Sequence, residues 1–211
     1  MAGTPDFSFE LAAFARGLAL VAGVDEVGRG CLSGPVVAAA VRLDPSRIPP
    51  GLNDSKALTA RRREALAALI LASADVAIAE AGVREIDTLN ILRASQLAMC
   101  RALAGLALRP DHALIDGHLL PRDIGHSAEA VVKGDARCLS IAAASIVAKV
   151  HRDRLMVDLA QQFPGYGWEH NMGYPTAEHR AALLARGVTP YHRRSFAPVH
   201  NILYQAEFIT L

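Results

Sequence analysis

The sequence predicts an α/β domain built on a mixed sheet. Three observations carry that reading. Two apolar runs, residues 18–25 and 34–43, flank a glycine-rich turn in the manner of a β-hairpin. Beyond residue 58, segments with helical apolar spacing alternate with short apolar runs. The chain has 211 residues, 52% of them apolar, which suits one domain with a sizeable core.

The elements follow in order. After the hairpin, Pro49-Pro50-Gly51 breaks the chain. "LTARRREALAALILAS" predicts a helix with Thr59 as N-cap. "VAIAEAGV", 76–83, reads as a strand, and 84–106 as one longer amphipathic helix. "HALIDG", 112–117, is a short strand ending in a carboxylate, and "AEAVVKGD", 128–135, repeats that pattern. "LSIAAASIVAKVHRDRLMVDLAQQF" is helical, and its small apolar first half predicts burial and close packing. Residues 176–187 predict a last short helix, capped by Thr176 and ended by Gly187.

Composition narrows the function classes. Lys and Arg number 22 and Asp and Glu 21, a net charge of +1, so a nucleic-acid partner would be met only through local patches. Cys31, Cys100 and Cys138 form neither a disulfide framework nor a Cys-x-x-Cys metal clip, in keeping with a reducing compartment. The N-terminal stretch has acids where a signal peptide needs bases, and no apolar run approaches the ~18 residues that span a bilayer. The expectation is a cytoplasmic, monomeric protein with no membrane partner.

Asp25, Glu26, Asp116 and Asp135 each follow an apolar strand-like run and lie next to or near a glycine. Carboxyl ends of strands are where α/β sheets bind ligands. Taken singly, Asp-Glu before glycine or Asp-Gly is an ordinary solvated turn; three such endings in one small domain shift the balance towards function. Carboxylates gathered without a cation repel, and at least one pKa rises. A hard divalent ion, Mg²⁺ or Mn²⁺, is the natural compensation. Two such ions roughly 3.5–4 Å apart serve in-line phosphoryl displacement.

Other motifs are weaker. "GRG", 28–30, can bring bare backbone close to a phosphate or sugar, or be a plain turn. Ser55 and Lys56 suit a phosphate, or a helix-entry turn; Arg61, Arg62 and Arg63 read as a solvated face. Lys133, Lys149, Arg152 and Arg154 could add positive potential. Tyr166, Trp168 and Tyr174 stand in a glycine-rich loop, where an aromatic stacks on a base or pins the loop to the core. No His-Glu-x-x-His or Gly-x-Ser-x-Gly pattern occurs, which disfavours zinc and serine hydrolases.

Together "VAGVDEVGRGCLSGPVVAAAV", "LNDSKALTARRRE", "ALIDG", "VVKGDARCLSIAAASIVAKVHRD", "GYPT" and "HRRSFAPV" resemble the signatures of bacterial ribonuclease HII, in that family's order, across most of residues 20 to 199. The resemblance implies a ribonuclease H-like fold in one catalytic domain over 1–211, with a core at about 18–160 and a helical C-terminal part at about 161–211. It implies hydrolysis of the RNA strand of RNA–DNA hybrids, and cutting 5′ to a single ribonucleotide embedded in DNA. The products would carry 3′-hydroxyl and 5′-phosphate ends, and the role would be ribonucleotide removal in DNA repair and replication. Asp25, Glu26, Asp116 and Asp135 match the family's catalytic and metal-binding acids, with two Mg²⁺ or Mn²⁺ ions in catalysis. Gly28, Arg29 and Gly30 match the turn that senses the ribose 2′-hydroxyl. Tyr174 matches a tyrosine that packs on the adjoining sugar, and Lys56 a lysine near the backbone phosphate. Patterning alone leaves Asp153 as good a fourth acid as Asp135; only the resemblance selects Asp135. Asn171 and Met172 stand where the family commonly has His-Lys, so one phosphate contact is in question.

Two other classes fit the same residues less well. A metal nuclease of this fold without 2′-hydroxyl dependence would cut all-DNA duplexes, and a non-catalytic binder would ignore added Mg²⁺. The tail "QAEFITL", 205–211, raises the further expectation of docking on a replication clamp.

Overall fold

In a computed structural model, which describes residues 4–204, five strands form one sheet in the order β3-β2-β1-β4-β5. They are β1 Val21–Val27, β2 Val36–Arg42, β3 Asp75–Ala81, β4 His112–Asp116 and β5 Ser127–Val131. The expected hairpin is present: β1 pairs antiparallel with β2, and β2 with β3. On the other side β1 pairs parallel with β4, and β4 with β5. The sheet is therefore mixed, and β1 lies at its centre.

Helices cover both faces. On one, α4 (Ile91–Ala104) packs on β1, β2 and β3 through Ala94, Ala98, Met99 and Ala102. On the other lie α2 (Ala60–Ser73) and α5 (Leu139–Gln162). The small first half of α5 lets it lie against β1: a Cβ at Gly23 would collide with the Ser140–Ile141 backbone. Thr59 caps α2 as predicted, its hydroxyl accepting the Arg62 N–H at 3.3 Å.

The structure corrects several expectations. The single helix at 84–106 is two, α3 (Val83–Leu89) and α4. Asn90 divides them with φ 70°, and its side chain accepts the Arg93 N–H at 3.1 Å as a cap for α4. The strand expected over 128–135 ends at Val131; Lys133 turns left-handed at φ 55° and Gly134–Ala136 form a 3₁₀ turn. Asp135 thus sits on that turn rather than at a strand end. A helix not foreseen, α1 (Ser8–Ala15), packs Phe9, Ala13 and Phe14 near β1 and β4. Its buried Glu10 accepts the Ser140 N–H at 2.8 Å, which caps α5.

After α5 come α6 (Trp168–Asn171), α7 (Ala177–Arg186) and α8 (Ala197–Tyr204), so the helix at 176–187 is not the last. Among the described residues no helix is long and apolar enough to cross a membrane.

Candidate active site

The register of β1 on β4 assembles the acids. Val24 stands opposite Ile115, so the next residues, Asp25 and Glu26 on β1 and Asp116 on β4, meet at the same end of the sheet. Asp135 joins them from its 3₁₀ turn, because the Gly134 N–H donates to Asp116 Oδ1 at 2.7 Å. A Cβ at Gly134 would meet Ile141 Cδ1 at 2.5 Å, so a bare backbone is what lets this turn close.

The electrostatics are those of crowded charge. Burial, then the charges of Glu26 and Asp116, pushes the Asp25 carboxyl well above its ordinary range. Burial also raises Glu26, despite the Arg29 guanidinium 3.0 Å from its Oε1. Burial and then Asp135 raise Asp116. Glu26 Oε2 is buried without a hydrogen-bond partner. Asp135 Oδ2 is 3.5 Å from Lys56 Nζ, but that lysine side chain is 79% exposed and water screens the pair. Among the described residues no three His, Cys, Asp or Glu side chains already close around one point as metal ligands. Arg29 and Lys56 engage two of the acids in this arrangement.

A small cavity of about 100 Å³ opens beside the acids, lined by Glu26, Arg29, Gln96, Asp116 and His118. A larger one, about 570 Å³, lies at the opposite ends of β1 to β3, against Val21, Arg42 and Asp75, away from all four acids.

The family comparison shows to which family the chain belongs. The model of the family "Ribonuclease HII" matches residues 22–199. The chain belongs to the ribonuclease HII family. It is accordingly a type 2 ribonuclease H, a nuclease. Ribonuclease HII of Cereibacter sphaeroides is 70% identical over 201 residues, 95% of each chain. That of Paracoccus denitrificans is 68% identical over 206 residues, 98% of each. Among solved structures, ribonuclease H2 of Pyrococcus horikoshii OT3 superposes with TM-score 0.74 at 28% identity, over 92% of this chain and 100% of that one. The ribonuclease HII of Archaeoglobus fulgidus, solved as a complex with PCNA, gives TM-score 0.71 at 28% identity, over 83% and 94%.

The remaining candidates of this ribonuclease HII sort by burial. The Gly28–Gly30 turn follows β1 directly; Arg29 and Gly30 are exposed and Gly28 is buried. Tyr174 is 40% exposed and faces the turn: a Cβ at Gly30 would lie 4.0 Å from its Cε1. Its loop neighbours Tyr166 and Trp168 are core residues, stacked at 5.2 Å between ring centroids. Ser55 is no phosphate donor, since it is buried against the Ser145 hydroxyl at 2.9 Å. Asp153 pairs with Lys149 at 2.7 Å one helical turn back on α5, and the acidic charges that act on Asp25 and Asp116 are those of the cluster, Asp135 included, and not its own. Arg63 is not a solvated residue: it donates to the carbonyls of Ser55 and Leu58 and anchors the loop carrying Lys56.

Asn171 holds its own loop, its amide donating to Tyr166 O and its Oδ1 accepting the Gly173 N–H, both at 2.8 Å. Met172 adopts φ 50°, and its carbonyl accepts from Arg152 at 2.8 Å. Arg152 itself is fully buried, so it adds no surface potential. Sequence reasoning missed this arginine's role and that of Arg193, also fully buried. The only signal was an arginine inside each of two quoted motifs, "KVHRD" and "HRRSF".

Proposed function

We propose that this enzyme hydrolyses the RNA strand of RNA–DNA hybrids and cuts 5′ to single ribonucleotides in duplex DNA, as a monomer. The products carry 3′-hydroxyl and 5′-phosphate ends, and the role is ribonucleotide removal from DNA. The observation that carries this reading is the meeting of four carboxylates at one end of the sheet, beside a glycine turn whose Arg29 and Gly30 are exposed.

The donor set fits Mg²⁺ or Mn²⁺. Every side-chain ligand offered is an oxygen, Glu26 Oε2 is buried and unpartnered, and Asp25 is buried among like charges. Asp25, Glu26, Asp116 and Asp135 would hold two such ions. Bound there, the cation supplies a water of lowered pKa and stabilises charge on the departing oxygen. The chain's own groups do the rest. Gly28, Arg29 and Gly30 present backbone to the ribose 2′-hydroxyl. Tyr174 packs its half-exposed ring on the neighbouring sugar. Lys56, exposed and tethered loosely to Asp135, has the reach to move onto a backbone phosphate.

The test is a labelled DNA duplex carrying one ribonucleotide, beside an all-DNA duplex, each with Mg²⁺ or Mn²⁺. One cut 5′ to the ribonucleotide, absent from the all-DNA duplex, is the expected result. Cutting of both duplexes would leave a metal nuclease without sugar discrimination. The tail at 205–211 lies outside the described residues. Its docking on a replication clamp is proposed alongside, supported by the archaeal complex with PCNA; unchanged clamp binding after deletion of 205–211 would end that idea.

A further inference from the structure

The turn between β1 and β2 is gripped from inside by two arginines. Arg193 donates from Nε to Gly34 O at 3.0 Å, from Nη1 to Arg29 O at 2.9 Å and from Nη2 to Gly28 O at 2.6 Å. Arg152 donates from Nε to Pro35 O and from Nη2 to Ser33 O, both at 3.1 Å, and from Nη1 to Met172 O. Both side chains are fully buried, and among the described residues neither has a carboxylate partner. A buried guanidinium without a counter-ion is costly. Here six carbonyl oxygens compensate it, five of them from residues 28–35.

That arrangement has a geometric consequence. A trans peptide is planar, with its N–H opposite its C=O. Gly28 C=O shares a plane with the Arg29 N–H, and Arg29 C=O with the Gly30 N–H. Pulling both carbonyls inward onto Arg193 aims both N–H groups outward. Neither N–H has a hydrogen-bond partner among the described residues, and both residues are exposed. A cationic donor on each carbonyl also polarises the peptide and strengthens its N–H as a donor. The segments that carry the arginines are themselves fixed to the turn and its flank. The Arg193 N–H donates to Leu32 O, the Gly34 N–H to Tyr191 O and the Leu32 N–H to Gly173 O, at 2.8 to 2.9 Å. Asp87 on α3 accepts from the Arg194 and Ser195 N–H groups next along the chain.

We propose that Arg193, supported by Arg152, is a positioning residue for substrate discrimination: it orients the Gly28–Arg29 and Arg29–Gly30 peptides so that the Arg29 and Gly30 N–H groups face the nucleic acid. The inference rests on the reading of that turn as the sugar sensor. Because Arg193 hydrogen-bonds carbonyls of the turn and none of the four acids, its loss acts through the turn and leaves the acids in place.

The test uses Arg193→Lys, which keeps the charge and loses the fork, and the core variant Val199→Ala as a control for destabilisation. For each, kcat/KM is measured on the duplex with one ribonucleotide, and affinity on the all-DNA duplex. The melting-temperature gain with Mg²⁺ reports the acids. Arg193→Lys is expected to lower kcat/KM at least tenfold, with all-DNA affinity changed less than twofold and the Mg²⁺ gain retained. Val199→Ala is expected to stay within threefold on every reading. Equal losses in the two variants, or an unchanged Arg193→Lys, would overturn the inference alone. A wild type that does not distinguish the two duplexes would overturn the sensor reading and this inference with it. Should Arg193→Lys fail to fold, Arg193→Gln, which also loses the fork onto Gly28 O and Arg29 O, carries the same test with the same two outcomes.

Discussion

Two polar regions of this molecule are buried in opposite ways. At the carboxyl end of β1 and β4, like charges are crowded and one buried oxygen of Glu26 has no partner. Beneath the loop at 164–193, Trp168, His179 and His192 are buried and hydrogen-bond one another. Trp168 Nε1 donates to His179 Nε2 at 2.9 Å, and His192 Nε2 lies 3.2 Å from the same atom. His192 Nδ1 accepts the Thr189 N–H at 3.0 Å, so its proton is on Nε2 and points to His179. His179 Nδ1 is left to donate to Tyr174 O at 2.9 Å. Both rings are held neutral, with Trp168 and His192 sharing the one acceptor at His179 Nε2. Satisfied polarity holds a shape; unsatisfied polarity marks where something else must bind.

The largest effect that would sharpen this contrast is on activity. Asp116→Asn keeps the shape of the carboxylate and removes its charge. It should lower kcat by roughly 10³-fold, the upper range for losing one preorganised electrostatic group. Asn at Asp153, the acid that the structure sets aside, should leave kcat within about twofold; an equal loss there would break the assignment.

Two glycines, two residues apart, give the next contrast. Gly28 has φ 94°, and a Cβ there would run into the Arg152 guanidinium. Gly28→Ala should therefore cost roughly 2–4 kcal/mol, from the left-handed backbone and the overpacking together. Gly30 has no such φ and open space, its nearest contact being Tyr174 Cε1 at 4.0 Å. Gly30→Ala should change stability by no more than about 0.5 kcal/mol. Any loss of cutting at a ribonucleotide would then be a substrate effect. Urea denaturation of both variants checks the pair.

Acid should act on the two regions with opposite sign. Burial pulls His192 from an ordinary 6.5 down to about 4, and lowers His179 as well. The unfolded chain takes up those protons first. Their contribution to stability is complete above about pH 6.5 and is lost as the pH falls towards 4. Asp25, Glu26 and Asp116 are shifted up, so the metal-free folded state takes up their protons first, and the same fall in pH relieves the acid end. An NMR titration of the imidazole protons should find His192 neutral at pH 5; a titration near 6.5 would break the contrast. The smallest effect is at Lys56, whose exposed pair with Asp135 should be worth under about 1 kcal/mol to stability, measured on Lys56→Ala.

How much of this was legible in the sequence follows from how local each signal is. Asp25 and Glu26 could be read because an apolar run ends in charge, a pattern within one strand. Asp116 was legible for the same reason. Asp135 was not separable from Asp153, because its place depends on a left-handed Lys133 and on the Gly134 N–H reaching another strand. The break at Asn90 was hidden because the apolar spacing of 84–106 runs on through a residue that also caps. Arg152 reads as added positive potential, and Arg193 stands out only as part of the motif "HRRSFAPV". Five of their six partners are backbone carbonyls more than a hundred residues away, which no spacing rule reports.

The most direct test of the central claim is the melting temperature of wild type and Asp25→Asn, with and without Mg²⁺. If the acid end is crowded charge awaiting a cation, metal-free Asp25→Asn melts higher than metal-free wild type. Added Mg²⁺ then raises the wild type by more than the variant. A metal-free variant that melts at or below wild type, with equal gains from Mg²⁺, would contradict the account.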